Sequence, residues 1–356
     1  MIPQIIAQKT KMHKKTNILF ATDTNFVMPL AVCLTSLFEN NKNRNIDVYV
    51  LHSQLVGEQE NILISLAKSY GQNIYLILVD EHYFNNAPTF VWTKEAYYRL
   101  LINEYLPKEL DRILYLDCDT IVNKPIDDLY DVDMDIDIDI DIDIDRKNYC
   151  LAAFRQKDKE KYNRSLTRLD QSDQLNPNGS YFNTGVIVFD LNKSRGLLNY
   201  EKALSVINSL GKNFFIIDET IINIIFDGKI KAIDQKYNNN RITNYNLNLL
   251  DRLLNKVNKE ELNRTCIFHF TNKPWNNLYP GSCEEIWYKY LKISPYKDLY
   301  TDKYTKLKYR ILRMSFVKFI LHGYITFSPK INKLAVLLFS EKTHKKLKDF
   351  YMRNIR

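Results

Sequence analysis

The chain has 356 residues, of which 45% are hydrophobic and 26% charged, as is typical of a globular protein with one large or two small domains. Its nine glycines are too widely spaced to form G-x-G-x-x-G or a Walker loop, which disfavours classical dinucleotide-binding folds and P-loop NTPases. The formal net charge is +8, but residues 297–356 carry +11 and residues 1–296 carry −3, so the basic character belongs to the C-terminal segment.

Residues 1–16 are interpreted as a leader, after which strands and helices are predicted to alternate. Short apolar or alternating runs predict strands at 17–22, 46–51, 73–79 and 112–116. Helical periodicity predicts intervening helices at 27–38, 58–70 and 94–102. This order predicts an α/β protein with a mostly parallel sheet covered on both faces, whose ligands bind beyond the carboxyl ends of the strands.

Residues 131–145 form a low-complexity run with Asp at every second position. On one face of a strand these carboxylates would repel one another, so an exposed, poorly ordered loop is expected, with a cation-binding strip as the alternative. Beyond it, strands are predicted at 151–154, 185–190 and 266–270, and helices at 200–210 and 218–226. From 297 onward basic residues alternate with aromatic and aliphatic ones, so a domain boundary is expected near 296.

The cysteine pattern and the hydropathy indicate the compartment. The five cysteines are widely spaced and include no C-x-x-C pair, which argues against a disulfide framework or a zinc site and fits a reducing compartment. No window approaches 18 consecutive apolar residues, and no signal-peptide-like apolar stretch accompanies the basic N-terminus. A cytosolic protein without a transmembrane helix is therefore expected.

The motif that points most directly to chemistry is Leu-Asp-Cys-Asp-Thr at 116–120. Asp117 and Asp119 leave a hydrophobic strand with a spacing of two residues, at the predicted ligand-binding edge. Such a pair suits a hard divalent cation that keeps coordination positions open for phosphate oxygens. Helix capping or turn formation remains the alternative, because Asp-x-Asp alone is a weak signal.

Six segments, in this order, make the chain resemble glycosyltransferase family 8, a family of retaining nucleotide-sugar transferases that includes glycogenin and bacterial lipooligosaccharide galactosyl- and glucosyltransferases. The segments are 17–26, 93–107, 112–122, 181–191, 218–226 and 269–275. The resemblance implies a GT-A fold over residues 17–296, with a Rossmann-like α/β domain that binds a UDP-sugar and Mn²⁺, with Mg²⁺ as the alternative ion.

The resemblance also implies a donor and metal site. Asp117, Asp119 and His269 would bind the metal, with Cys118 as a donor contact. The residues implied to contact uracil and ribose are Ala21, Asp23 and Asn25. Asn25 can also cap the following helix, which does not exclude the donor contact, and a lone histidine in an apolar strand, as at His269, is usually a core residue.

Further residues are implied to hold the sugar and the leaving group. Arg99 and Asp218 would orient the donor sugar and Asn183 and Thr184 would touch it, while Lys273 would neutralise charge on the departing UDP. Each of these residues also has an ordinary structural explanation. Arg99 can pair with Glu95, and Asn183 and Thr184 can form an Asn-Thr-Gly turn. Asp218 can interact favourably with a helix N-terminus, and Lys273 can be a solvated lysine.

The chain departs from the family at two places. Glu219 stands where relatives often have Gln, and a carboxylate there can act as nucleophile in a double displacement or stabilise an oxocarbenium ion. A same-face mechanism, in which the leaving phosphate deprotonates the acceptor, remains a third alternative. In the short loop after His269, Asn272 replaces the Gly that relatives often have, which puts that glycine's phosphate contact in doubt.

The basic segment 297–356 suits an anionic membrane surface, with a packed helical appendix as the alternative. Nucleic-acid binding through this segment is the other alternative, and it is not expected. The sequence thus predicts a cytoplasmic enzyme at the inner face of the cytoplasmic membrane that moves galactose or glucose from a UDP-sugar to a lipooligosaccharide, lipopolysaccharide or related oligosaccharide acceptor. A catalytically silent nucleotide-sugar-binding protein is the rival interpretation.

Overall fold

The computed structural model describes residues 14–89, 92–135, 148–156, 180–211, 217–240, 259–271, 273–276 and 283–300. Of these, the residues up to Asn240 together with Arg264–Thr271 form one compact unit, and the others belong to a second. The loop predicted at 131–145 is described only as far as Asp135, and the segment predicted from 297 only as far as Tyr300. The rest of both predictions lies outside the described residues.

The described part of the chain contains strands, α-helices and short 3-10 helices. The strands are β1 (Lys14–Thr22), β2 (Arg44–His52), β3 (Asn73–Leu78), β4 (Arg112–Leu116), β5 (Thr120–Val122), β6 (Leu151–Gln156), β7 (Tyr181–Asp190), β8 (Ile230–Ile233) and β9 (Ile267–His269). The α-helices are α1 (Val27–Asn40), α2 (Gly57–Ser69), α3 (Ile102–Tyr105), α4 (Asp127–Tyr130), α5 (Leu191–Ser194), α6 (Tyr200–Leu210), α7 (Ile217–Ile225), α8 (Lys259–Arg264) and α9 (Glu284–Leu291). The 3-10 helices are Lys94–Leu101, Gln235–Tyr237 and Pro274–Asn276.

The first unit is built on a seven-stranded sheet with the strand order β3-β2-β1-β4-β7-β6-β8. Strands β3, β2, β1 and β4 are parallel, β7 is antiparallel to both β4 and β6, and β8 is parallel to β6. The central strands are apolar runs whose residues are buried on both faces, as parallel sheets require. The predicted α/β fold with a mostly parallel sheet flanked by helices is confirmed.

Several elements differ from the sequence-based expectation. The helix predicted at 94–102 is a 3-10 helix that passes into α3, and the strand predicted at 266–270 is β9, which pairs with β5 in a separate two-stranded sheet. Strand β1 begins at Lys14, inside the segment interpreted as a leader. Strand β7 begins at Tyr181, so Asn183 lies within a strand and not in a turn, because Asn183 pairs with Phe154 of β6.

The first residues of the Asp-rich run are attached to the first unit. The side chain of Asp131 forms an ion pair of 2.8 Å with Arg44, and that of Asp135 forms one of 2.6 Å with Lys193. Between them Met134 is buried. Asp131, Asp133 and Asp135 are nevertheless exposed, so the prediction of an exposed run agrees with the described residues except at Met134.

In the second unit, aromatic side chains pack around Trp287. The rings of Trp275 and Trp287 lie 5.5 Å apart, and the hydroxyl of Tyr288 donates a hydrogen bond of 3.1 Å to the carbonyl of Pro274. These contacts attach the 3-10 helix Pro274–Asn276 to α9. Among all described helices, none combines the length and the apolar character needed to cross a membrane.

Candidate active site

The carboxyl ends of β1 and β4 meet at one edge of the sheet, because the two strands are parallel with Ile18 opposite Leu114. Asp117 and Asp119 follow β4 in a tight turn. The turn is held by Thr120, whose backbone N–H and hydroxyl both bond to the carbonyl of Asp117, at 3.2 and 2.8 Å. The sequence therefore places both carboxylates at the edge where α/β sheets bind ligands.

His269 is brought to the two carboxylates by the small sheet. Strand β9 pairs with β5 so that His269 lies opposite Thr120, and the N–H of Phe270 donates to the carbonyl of Asp119 at 2.9 Å. The His269 Nε2 atom lies 3.6 Å from an oxygen of Asp117 and 3.4 Å from an oxygen of Asp119. The pairing of β5 with β9 therefore brings His269 close to two carboxylates that are remote from it in the sequence.

The ligand atoms of Asp117, Asp119 and His269 all lie within 4.8 Å of one another. Ligands bonded at about 2.1 Å to one cation lie roughly 3 Å apart, so small side-chain movements would let these atoms share an ion. Carboxylate and imidazole donors suit Mn²⁺ and related divalent cations. The chemistry and spacing of the three residues therefore fit a divalent metal ion.

Arg99 connects this cluster to a second pair of acidic residues. It lies in the 3-10 helix Lys94–Leu101 and is only 5% exposed. Its Nη2 atom lies 2.7 Å from Asp117 and its Nε atom 3.1 Å from Asp218, while its guanidinium stacks 4.1 Å from the centre of the Tyr115 ring. Burial lowers the pKa of Arg99, but the two carboxylates outweigh that effect and raise it, so the side chain stays charged. The pair with Glu95 that helical spacing suggested is replaced by these two.

Strand β7 and the start of α7 hold the acidic pair Asp218 and Glu219. Glu219 Oε2 accepts hydrogen bonds from the side-chain amide of Asn183 at 2.9 Å and from the backbone N–H of Thr184 at 3.1 Å. The Thr184 hydroxyl donates to Asp218 at 3.4 Å. Both acids open a helix, as the sequence suggested, but they also make specific contacts to the neighbouring strand.

Burial changes the acidity of these two carboxyl groups. It raises the pKa of Glu219 from 4.5 to about 7, although the hydrogen bond from Thr184 opposes the change. Burial also raises the pKa of Asp218, and the charge of Arg99 opposes this. A carboxyl group that titrates near neutral pH in a cluster with other acids is typical of functional sites.

We expect Glu219→Gln to stabilise the protein by roughly 3 kcal/mol at about pH 8, because burying the Glu219 carboxylate is unfavourable there and Gln can accept the same hydrogen bonds. Between pH 4.5 and about 7 the folded protein keeps a proton that the unfolded chain releases, so the free energy of unfolding falls as the pH rises. The gain should therefore vanish towards pH 4.5. Chemical denaturation across this pH range measures it, with the exposed Glu58→Gln as control; a gain that does not depend on pH would contradict the assignment.

Two residues of the cluster were not identified as site residues from the sequence. The Asn238 side chain, which is fully buried, contacts His269 Nδ1 at 2.9 Å and Asn183 at 2.7 Å. Gly185 leaves the space that the His269 ring occupies, since a Cβ atom there would lie 2.3 Å from His269 Cε1. An asparagine after a 3-10 helix has no local signal for such a role, whereas Gly185 directly follows the Asn183-Thr184 motif.

The remaining predicted site residues of the first unit lie beside the Asp117–Asp119 turn or in the turn before α1. The Cys118 thiol donates to the carbonyl of Ala21 at 3.2 Å, which places both beside the Asp117–Asp119 turn. The Asp23 carboxylate accepts from the backbone N–H groups of Asn25 and Phe26 at 2.8 and 2.9 Å, so it shapes the turn before α1, and Asn25 is exposed. Lys273 belongs to the second unit, and its role stays a prediction.

The amino-acid sequence of the chain matches that of a known protein family. The model of the family described as "Glycosyl transferase family 8" matches residues 17–278, which is most of the chain and includes the entire first-unit cluster. The chain belongs to glycosyltransferase family 8. The resemblance inferred from the six sequence segments is thereby confirmed.

Relatives within this family include lipopolysaccharide glycosyltransferases. The chain is 27% identical over 291 residues to a lipopolysaccharide 1,2-glucosyltransferase of Escherichia coli K12, covering 79% of both chains. It is 25% identical over 279 residues to a lipopolysaccharide 1,3-galactosyltransferase of Salmonella typhimurium, covering 75% of this chain and 76% of that one. These similarities make this family 8 chain an enzyme of the glycosyltransferase class.

The fold of this family 8 member is that of LgtC, a galactosyltransferase whose crystal structure contains donor and acceptor sugar analogues. The two structures superimpose with a TM-score of 0.60 and 20% identity over 79% of this chain and 96% of LgtC. A glutamine-to-glutamate active-site mutant of LgtC gives a TM-score of 0.61 and 21% identity, again over 79% of this chain and 96% of that one. The likeness supports the GT-A assignment that the sequence segments implied.

Proposed function

We propose that this enzyme transfers galactose or glucose, with retention of anomeric configuration, from a UDP-sugar to a lipooligosaccharide, a lipopolysaccharide or a related surface glycan. The observation that carries the proposal is the convergence of Asp117, Asp119 and His269 with Arg99 and Glu219 at the carboxyl edge of the sheet. The lipopolysaccharide glucosyl- and galactosyltransferases among the relatives support the choice of sugar and acceptor.

In this proposal Asp117, Asp119 and His269 hold Mn²⁺, with Mg²⁺ as the alternative ion. Such an ion, when bound, offsets the negative charge of the donor diphosphate and of the UDP that leaves. Lys273 supplies a second positive charge to the leaving group. Asp117 also connects the proposed metal site to Arg99. Its Oδ1 atom accepts hydrogen bonds from Arg99 and from the Tyr115 hydroxyl at 2.7 and 2.8 Å, while its other carboxylate oxygen lies nearer His269.

The sugar is oriented by residues of the acidic pair and the neighbouring strand. Arg99 and Asp218 form an ion pair of 3.1 Å, so each keeps the other's charged atoms in place to bind sugar hydroxyls. Asn183 and Thr184 present side chains from β7 beside this pair. A pre-organised polar site of this kind orients a donor without reorganisation during the reaction.

Glu219 is proposed to act on the positive charge that develops at the anomeric carbon. Its anionic form can stabilise an oxocarbenium ion or form a covalent glycosyl intermediate, and both roles need a deprotonated carboxylate. With a pKa of about 7, that form is gained as the pH rises through neutrality. A hydrogen bond from the Tyr181 hydroxyl lowers the pKa of Glu219, although by less than burial raises it, and so favours the anionic form.

The uridine end of the donor is proposed to bind at the carboxyl end of β1, through Ala21, Asp23 and Asn25, with Cys118 beside them.

The acceptor is proposed to be linked to a lipid at the membrane. Residues 297–356, with a net charge of +11, would attract an anionic surface at the cytoplasmic face and bring the enzyme to a lipid-linked acceptor. Nucleic acid is not part of this proposal.

The proposal is tested by UDP release from the purified enzyme with UDP-galactose, UDP-glucose and UDP-N-acetylglucosamine, each with Mn²⁺ and with EDTA. We expect slow hydrolysis of one hexose donor without acceptor, and a loss of at least about tenfold when EDTA removes the metal. Slow donor hydrolysis needs no acceptor, so the identity of the acceptor does not limit the assay.

The same samples supply the control. UDP binding is measured by calorimetry with and without Mn²⁺, since a silent nucleotide-sugar-binding protein would bind UDP and release none from any donor. The absence of both release and UDP binding would contradict the proposed function.

A further inference from the structure

A chain of buried side-chain hydrogen bonds connects the proposed metal site to the proposed sugar site. The side-chain amide of Asn238 donates to Asn183 Oδ1 at 2.7 Å, and Asn238 Oδ1 lies 2.9 Å from His269 Nδ1. At the other end, the amide of Asn183 donates to Glu219 Oε2 at 2.9 Å. Asn183, Glu219, Asn238 and His269 are each at most 8% exposed, so water does not compete for these bonds.

A backbone group sets the direction of every bond in this chain. The N–H of Gly185 can only donate, and it donates to Asn183 Oδ1 at 3.1 Å. Asn183 must therefore turn its amide nitrogen to Glu219, and Asn238 must turn its amide nitrogen to Asn183. The carbonyl oxygen of Asn238 then faces His269.

This direction determines which nitrogen of His269 carries the proton. Because Asn238 Oδ1 can only accept, the neutral imidazole holds its proton on Nδ1. The lone pair is then on Nε2, the atom that lies 3.6 Å from Asp117 and 3.4 Å from Asp119. A hydrogen bond to the second nitrogen is the usual device for orienting a metal-binding histidine.

We infer that Asn238 is a positioning residue that fixes the tautomer of His269 on one side and the amide of Asn183 on the other. The inference rests on the proposed function of the same site. A purely structural role accounts less well for these contacts. The backbone N–H of Asn238 already closes the 3-10 helix Gln235–Tyr237 by bonding to Gln235, whereas both of its described side-chain bonds go to site residues.

The substitution Asn238→Asp tests the contact with Asn183 separately from the contact with His269. An Asp at this position still accepts the proton of His269 Nδ1, but it cannot donate to Asn183. The introduced carboxylate then faces Asn183 Oδ1, which the Gly185 N–H still holds, and the repulsion between these two acceptor oxygens displaces the Asn183 side chain and weakens its hydrogen bond to Glu219. We expect Mn²⁺ affinity within about threefold of the original enzyme, and kcat for donor hydrolysis lowered by roughly 10- to 100-fold with a smaller change in KM.

The substitution Asn238→Ala removes both bonds, so Mn²⁺ affinity should also fall, by roughly 10- to 100-fold. The matched control is Asn239→Asp, which changes a buried asparagine whose amide donates to Thr265 at 2.9 Å. We expect this control to keep both Mn²⁺ affinity and kcat within about threefold. Mn²⁺ binding is measured by electron paramagnetic resonance, and folding by thermal unfolding.

A spectroscopic measurement needs no substitution and no substrate. Nitrogen-15 NMR of histidine-labelled enzyme without metal, at a pH where the imidazole is neutral, is expected to place the His269 proton on Nδ1. A proton on Nε2 would overturn the inference, as would an Asn238→Ala enzyme with unchanged Mn²⁺ affinity and kcat. Since the NMR and metal arms use no UDP-sugar, an enzyme that failed to release UDP would contradict the proposed function and leave this inference standing.

Discussion

Asp119→Ala is expected to abolish metal-dependent UDP binding and to lower turnover by roughly 10²- to 10³-fold or more. The carboxylate of Asp119 lies 3.4 Å from His269 Nε2, and the N–H of Phe270 donates to the Asp119 carbonyl at 2.9 Å, which holds the residue in the turn before β5. Without it the site retains Asp117 and His269. Two ligands hold a divalent ion far more weakly than three, and the diphosphate then lacks its main counter-charge.

The fold should survive this substitution. Asp117, Asp119, Asp218 and Glu219 form a group of acids in which Arg99 pairs with two, so removing one carboxylate relieves repulsion in the metal-free protein. Mn²⁺ should raise the unfolding temperature of the original enzyme and leave that of Asp119→Ala unchanged, because a ligand stabilises only the state that binds it.

Asp47→Ala is the matched control for this experiment. Asp47 is also buried, but its partners are Lys15 at 2.9 Å and Asn73 at 2.8 Å, which belong to β1 and β3 and not to the candidate site. We expect Asp47→Ala to lose stability and to keep the Mn²⁺-induced shift and turnover within about twofold. Mn²⁺-stimulated turnover retained by Asp119→Ala would refute the metal assignment.

The difference between what the sequence predicts and what it misses has a physical basis. Apolar runs such as 112–116 predict the central strands because burial on both faces demands them, and the position of Asp117 and Asp119 follows from where β4 ends. Both predictions use only the local apolar pattern and the rule that α/β sheets bind ligands beyond the carboxyl ends of their strands. Together they predict the edge of the sheet at which the cluster lies.

The contacts of His269 and Asn238 depend on pairing between distant segments. Strand β9 meets β5 across about 150 residues of chain, and both strands have only three residues, too few for a distinct periodicity. The sequence indicates His269 as a ligand only through the family resemblance, and it gives no signal for Asn238. The antiparallel β7, which carries Asn183 into the cluster, was likewise indistinguishable from a parallel strand.

Gly185→Ala is expected to disable the site from within β7, although Gly185 carries no functional group. A Cβ atom at this position would lie 2.3 Å from His269 Cε1, 2.7 Å from His269 Nδ1 and 2.8 Å from Asp117 Oδ2. All three distances are too short for van der Waals contact, so the methyl group must displace the His269 ring, the Asp117 carboxylate or both. We expect the Mn²⁺-induced rise in unfolding temperature to disappear and turnover to fall roughly 10²- to 10³-fold, with a loss of stability of about 1–3 kcal/mol from overpacking.

This effect is steric and not conformational, since Gly185 is not among the glycines with positive φ. Gly57→Ala is the matched control, because nothing lies within 4 Å of a Cβ atom there and its φ is ordinary. It should leave both turnover and metal binding unchanged.

A double-mutant cycle identifies the group through which the Gly185→Ala methyl acts. If Gly185→Ala acts through the imidazole, it should cost little further Mn²⁺ affinity in a His269→Ala background, whereas fully additive losses would show that the methyl group acts elsewhere, through Asp117 or the backbone of β7.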